Sequence, residues 1–311
     1  MAPQPLVAHQ LAGKKVVVIG GSSGIGFAVA SALIEEGASV VVASSSAEKV
    51  QKAVARLGDP ETQYNADSSR VSGHTVNLKG PEMEASIAAL FDKIGQVDHI
   101  VHTAGDSLGD TRVDIPLDRL AYDDVVNFAQ VRFLSVIFTA KIGARHLSRG
   151  GSLVFTSGAS AVKPAPNWVV SVGFMSGLYG LTRQLAFDLA AQHLRVNLVS
   201  PGPVKTELWD GMDAATREAF YAQAAGRHLT RHTAEPHEVA QAYLYLMKDT
   251  NMWVARPRGC KWLTLTAHAA LARSSRATRG VATGRLPRRR RKSKEHFPRR
   301  ILCIFHESEC E

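Results

Sequence analysis

The feature that most constrains the fold is a junction near the start of the chain. The run KVVVI (15–19) passes directly into GGSSGIG (20–26), and a helical stretch from Phe27 to Glu36 follows. A continuous apolar run is what a strand buried on both faces requires. In the spacing Gly20-x-x-x-Gly24-x-Gly26, Gly20 permits a tight turn and Gly24 lets the backbone approach a pyrophosphate. Gly26 allows close helix–strand packing, and the helix N-terminus faces the anion. A glycine-rich turn by itself is weak evidence, but between a strand and a helix it predicts a dinucleotide site that also takes in Ser22, Ser23 and Ile25.

Downstream, strand and helix patterns alternate. SVVVA (39–43), HTVN (74–77), DHIVH (98–102), SLVFT (152–156) and LRVNLVS (194–200) read as strands. Helical stretches are expected at about 47–57, 81–94, 117–147, 169–191 and 235–248, with helical, lid-like material between Thr206 and Gly226. This order predicts an α/β fold: a single Rossmann-type, doubly wound parallel sheet with helices on both faces.

Charge separates two regions. From Asn251 to Glu311, 15 Lys and Arg stand against 4 Asp and Glu, so the other 250 residues carry a net −2 although the whole chain carries +9. The basicity is therefore not that of the folded part, and nucleic acid is not the expected partner. All three cysteines (Cys260, Cys303, Cys310) lie in the basic region, which leaves the domain with neither a disulfide framework nor a cysteine metal site; no metal is expected. The N-terminus lacks a signal-peptide core and no stretch is read as a membrane span, so a cytoplasmic location is expected.

Four motifs together resemble the short-chain dehydrogenase/reductase family in order and spacing: GGSSGIG, HTAG (102–105), GLTRQLAFDLA (180–190) and RVNLVSPGPVKTE (195–207). The match runs from about Leu11 to Lys248. The resemblance implies about seven strands, a nicotinamide dinucleotide, a small-molecule substrate and a dimer or tetramer built on the helices at 117–147 and 169–191. It implies that Ala104 and Gly105 line the cofactor and that Pro201, Gly202, Val204 and Thr206 cradle the nicotinamide. Asn77 and Leu78 stand where the family places an adenine-contacting Asp and its neighbour. His102, in place of the first residue of the family's NNAG pattern, and Asn197 are read as structural. The second strand ends in Ser44, Ser45 and Ser46 with Lys49 behind and no carboxylate, a pattern that suits the 2′-phosphate of NADP(H) over NAD. Serines there also serve as ordinary helix caps, and Ser46 fits that role.

The family's proton-transfer residues are missing. Its Ser, Tyr and Lys positions fall on Gly158, Ser171 and Met175, and its relay Asn falls on Arg132. Tyr179 is followed four residues later by Arg183 and belongs to a helix used for dimerisation, where it is read as a packing residue. Carbonyl reduction normally needs a positioned acid. Its loss suits a hydride acceptor such as an iminium ion, with Arg132 as a fixed charge and Asn167 and Trp168 of KPAPNW (163–168) offering a hydrogen bond and an aromatic wall. Other roles are open: Arg132 as a clamp on helix ends or phosphate, and Asn167 as a helix N-cap.

The pattern of TSG, KPxPxW and a helix without Tyr or Lys is similar to an atypical branch of the family in fungal secondary-metabolite pathways. That branch includes NADPH-dependent reductases of alkaloid intermediates, some of which also steer a cycloaddition. Where they carry an acidic residue near KPxPxW, this chain has Asn167. Three functions follow: an NADPH-dependent oxidoreductase of a small secondary metabolite, a nucleotide-dependent cyclase or isomerase, or a non-catalytic homologue. The expected domains are a dinucleotide-binding and catalytic domain over 1–250 and a basic, disordered tail over 251–311. The family's last strand is missing or altered in that tail, as a shifted reading frame or retained intron would produce. A genuine extension, with LPRRRRKSK (286–294) as a nuclear-localisation or anionic-surface patch, is the alternative.

Overall fold

The computed structural model describes residues 9–107 and 114–251. Six parallel strands form one sheet in the order β3-β2-β1-β4-β5-β6, with β1 at Lys15–Ile19, β2 at Ser39–Ser44, β3 at Val71–Thr75, β4 at Val97–His102, β5 at Leu147–Thr156 and β6 at Arg195–Val199. The chain crosses from β3 back over to β4, so β1 and β4 meet at the point where the winding reverses. Ligands of open α/β sheets bind outside the strand ends at such a switch point.

Side chains of each central strand alternate between two cores, as the two-residue strand period demands. Val16 and Val18 of β1 join Val40, Val42, Val101 and Val154 on one face, under α1 (Gly24–Glu35), α2 (Ala47–Gly58) and α8 (Pro236–Lys248). Val17 and Ile19 join Val41, Ile100 and Phe155 on the other, under α3 (Met83–Ile94), α4 (Tyr122–Ala129), α5 (Ser135–Gly143) and α6 (Val169–Asp188). Helix α7 (Ala214–Arg227) follows the segment after β6. The doubly wound architecture is therefore as the sequence predicts. Arg195 of β6 donates to the carbonyls of Leu246 and Met247 at 2.6 and 3.0 Å, closing the last turn of α8 with a cation where the helix dipole favours one.

Three expectations need correction. Strand β3 is Val71–Thr75, not 74–77. The long helix expected at 117–147 is broken: a 3-10 turn at Leu117–Arg119 precedes α4, and a π-helical turn at Gln130–Leu134 separates α4 from α5. The run Tyr122–His146 is also long and apolar enough to cross a membrane on length and composition, contrary to the sequence reading. Its apolar face is spent on the core through Phe128, Val131, Val136 and Ala140. The expected seventh strand and the basic tail beyond Asn251 lie outside the described residues.

Candidate active site

The glycine turn is held by backbone bonds on both sides. Gly20 N–H donates to Ala43 O at 2.8 Å, and Thr103 of β4's end donates its N–H to Ile19 O at 2.8 Å and its hydroxyl to Ile19 O and Gly20 O. Gly26 lies so close that a Cβ there would strike Gly20 O and Thr103 Oγ1, which is the close helix–strand approach expected of it. Strand β1, the start of α1 and the end of β4 thus form one rigid corner around Ala104 and Gly105.

At the end of β2, Ser22 and Ser44 meet, hydroxyl to hydroxyl, at 2.9 Å. Ser45 is exposed, while Ser46 accepts the Lys49 N–H at 3.3 Å and is the N-cap of α2. Ser44, which accepts from Ser22, keeps its own proton to donate beside the exposed Ser45. Beyond β3, Asn77 Oδ1 accepts the Lys79 N–H at 3.0 Å, and Gly80 N–H donates to Gln130 Oε1. Asn77 thus shapes its own loop, and Gln130 ties that loop to the π-turn.

Arg132 sits in the π-turn. Its guanidinium lies over Gly105, where a Cβ would come within 2.6 Å of Nη1, and it donates to Asp106 O at 2.5 Å. The Asp106 carboxylate pairs with Lys79 at 2.8 Å. Burial pulls the Arg132 pKa down and the Asp106 charge pushes it back up; an arginine stays charged in such a setting. Lys79, Asp106 and Arg132 leave this cluster with one net positive charge against the residues expected to line the cofactor. Among the described residues, Arg132 Nε and Asp106 Oδ2 are buried without hydrogen-bond partners.

The remaining family positions carry no ionisable group. Ser171 and Met175 are buried on α6, and Met175 is part of the core. Ser157 donates to the Met175 carbonyl at 2.9 Å. At Gly158 a Cβ would meet only Ser160 Oγ at 3.5 Å, so a serine would fit and its loss is not a steric necessity. Helix α6 packs on the π-turn region by stacking Phe174 on Phe128 and meeting Phe133 at a tilt. Tyr179 donates to Ser200 Oγ at 2.8 Å, fixing α6 to the end of β6 as a packing residue with a polar link.

Asn167 departs from one of its expected roles, that of helix cap. It is exposed at φ 63°, and its backbone carbonyl accepts the Ile115 N–H at 3.1 Å. The N-cap position of α6 is Trp168, so Asn167 is not the cap, and among the described residues no contact joins its side chain to Arg132. Past β6, Pro201 O accepts the Ala159 N–H at 2.8 Å, Val204 bridges to Ala234, and Gly202 faces His228. Thr206 leads into the turn Glu207–Trp209, where Glu207 Oε2 accepts the Gly24 N–H at 2.8 Å.

Sequence reasoning missed Lys79, Asp106, Ser135 and Glu207. Lys79 and Asp106 each directly follow a motif residue, Leu78 and Gly105, which was the available signal. Glu207 closes the RVNLVSPGPVKTE motif directly after Thr206, whereas no local pattern announces Ser135.

A parallel sheet with a glycine turn at its switch point defines a Rossmann-type fold. The chain belongs to the short-chain dehydrogenase/reductase family: residues 7–260 match its SDR-like Rossmann domain. It is 37% identical over 247 residues to the short-chain dehydrogenase/reductase ucsE of an Acremonium species, covering 77% of this chain and 91% of that one. To fsr5 of Gibberella fujikuroi it is 36% identical over 259 residues, covering 81% and 94%. Among solved structures, the MalC reductase/Diels-Alderase of Malbranchea aurantiaca superposes with a TM-score of 0.71 at 34% identity, covering 79% of this chain and 94% of that one. These relatives are fungal short-chain dehydrogenase/reductases and a reductase/Diels-Alderase, and the chain is accordingly an oxidoreductase-family member with a fold that implies a nicotinamide cofactor.

Proposed function

We propose that this chain is an NADP(H)-dependent reductase of a small secondary-metabolite intermediate, acting in the cytoplasm, whose site transfers hydride without a Tyr/Lys proton relay. The observation that carries the reading is the pairing of a buried, uncharged α6 face (Ser171, Met175) with a fixed guanidinium on Gly105. The bound cofactor supplies the hydride. The chain's part is to hold the dinucleotide and exclude water, with no acid at the Tyr position to protonate an alkoxide. An acceptor that is already cationic, such as an iminium, needs no such acid.

The net positive charge of Lys79, Asp106 and Arg132 favours the anionic dinucleotide rather than a cationic substrate, so Arg132 belongs to the cofactor side of the site. Ser22, Ser44 and Ser45 supply hydroxyls and no carboxylate where a 2′-phosphate would lie, which supports NADP(H). Pro201, Gly202, Val204 and Thr206 remain the nicotinamide cradle. Asn167 and Trp168 stand at the entrance to α6 as substrate contacts, and Ser171 lies one turn inside. Exposed Tyr122 and Phe187, on the two helical stretches expected to be shared between copies, support a homo-oligomer.

The test is NADPH consumption with a cyclic iminium, after thermal-shift titrations with NADPH and NADH. A preferential shift with NADPH followed by substrate-dependent oxidation supports the reading; a shift without oxidation refutes hydride transfer to this acceptor. A second reading, a cyclase that holds the dinucleotide without consuming it, draws on the MalC reductase/Diels-Alderase likeness. It predicts product formation at constant NADPH.

A further inference from the structure

We infer that Ser135 and His102 are positioning residues that hold the π-turn open so that Arg132 is presented to Gly105. The inference rests on the reading of Arg132 as a cofactor-side group. In an α-helix the Ser135 N–H would bond Val131 O. Here it bonds Gln130 O, one residue further back, and the Ser135 hydroxyl takes Val131 O instead, at 2.6 Å. One residue thus serves two successive carbonyls, its amide the first and its side chain the second. Without the hydroxyl, Val131 O would compete for the amide and draw the turn toward α-helical geometry.

The hydroxyl is itself held. His102 Nε2 lies 2.9 Å from Ser135 Oγ. The single hydroxyl proton is committed to Val131 O, so His102 Nε2 carries the proton it shares, which fixes the neutral tautomer. Both side chains are buried, at 2% and 0% exposure, so neither bond is shared with solvent. His102 is the last residue of β4, three before Gly105. The same strand end therefore supplies both the anchor for the π-turn and the surface on which the guanidinium rests. Arg132 is gripped at its backbone through Val131, Ser135 and His102, and at its head through Gly105 and Asp106.

Two readouts separate positioning from general stability. In the ligand-free full chain, exchange of the buried Arg132 Nε–H is followed by 15N NMR in wild type, S135A, S135C and H102Q. S135A and H102Q are expected to speed exchange about tenfold, the scale of one buried hydrogen bond lost, with the isosteric S135C between. NADPH affinity, by fluorescence titration, is expected to fall by a similar factor in S135A and to show no further fall when S135A is added to R132A. Unchanged exchange in S135A and H102Q, or losses from S135A and R132A that add in full, would overturn the inference. If S135A does not fold, S135C carries both readouts. If R132A binds NADPH as wild type does, the cofactor role of Arg132 fails, while the exchange measurement still decides whether Ser135 and His102 position it.

Discussion

Glu207 and Gly24 are 183 residues apart in sequence, yet the Glu207 carboxylate caps the Gly24 amide at 2.8 Å. That amide opens α1, the helix whose N-terminus the glycine turn directs at an anion. A carboxylate already there is a rival to a diphosphate. Glu207→Gln is therefore expected to raise NADPH affinity about two- to fivefold, the scale of a charge at a helix end, and most clearly at low salt. Isothermal titration of both proteins decides it: equal or weaker binding by the variant would show that the carboxylate does not compete.

The Ser22–Ser44 pair gives a specificity prediction. Ser44→Asp places an acid at the end of β2, able to accept from a ribose hydroxyl and to repel a 2′-phosphate. NADPH affinity should fall by about tenfold or more, corresponding to one desolvated like-charge contact of about 1.4 kcal/mol, while NADH binding holds or improves. A parallel loss for both nucleotides would mean that the pair only supports the loop.

Two glycine substitutions should behave oppositely. At Gly105 an added methyl meets the far end of the Arg132 side chain rather than backbone and pushes the guanidinium from its seat, so Gly105→Ala is expected to weaken NADPH binding at a smaller cost in stability than Gly26→Ala. At Gly26 the methyl meets the Gly20 backbone and Thr103, so Gly26→Ala should cost about 1–3 kcal/mol of stability. Urea denaturation alongside nucleotide titration separates the two; a Gly105→Ala protein that binds normally would remove Arg132 from the cofactor side.

Acid should weaken the fold early. His99, bonded to Ser152 at 2.8 Å, and His102 are both buried, and burial depresses each imidazole to about 4 from an ordinary 6.5. The unfolded chain takes up these protons first as pH falls, so the stabilisation is full above about pH 6.5 and is lost progressively toward pH 4. Each histidine accounts for up to about 3 kcal/mol across that interval. Urea midpoints measured at pH 7, 6 and 5 should fall steadily, and less steeply in His99→Gln. A flat profile would show that these imidazoles titrate normally.

Strands β1 and β2 were legible because they are buried on both faces and so appear as unbroken apolar runs, whereas β4 (VDHIVH) and β6 (RVNLV) carry buried polar residues such as His99 and Asn197 among shorter apolar stretches. Strand β3 was displaced in the reading because its middle residues are Ser72, Gly73 and His74, and Gly73 is bare to admit Val50 and Val54 of α2. That requirement comes from tertiary packing and leaves no periodic trace. The glycine turn was readable from its spacing between a strand and a helix, and the replacement of the Tyr and Lys positions by Ser171 and Met175 follows from the family resemblance. The break at Gln130–Leu134 was not readable, because it depends on His102, which is 33 residues from Ser135 in the chain. The cap role left open for Asn167 suits its residue type but does not hold, because its left-handed backbone passes the N-cap position on to Trp168.

The π-turn also sets a phase. It accommodates one residue more than an α-helical turn, so α5 is rotated by roughly 100° about the axis relative to an uninterrupted continuation of α4. With the sequence as it stands, the faces that α4 and α5 bury are matched to the core only while the extra residue is taken up in the π-turn. Relaxing the turn to α-helical geometry with its residues all in place would turn Val136 and Ala140 off the core face, whereas removing one residue between Gln130 and Leu134 lets the turn close as α-helix with that face kept, making this stretch more tolerant of a one-residue deletion than of losing its π geometry.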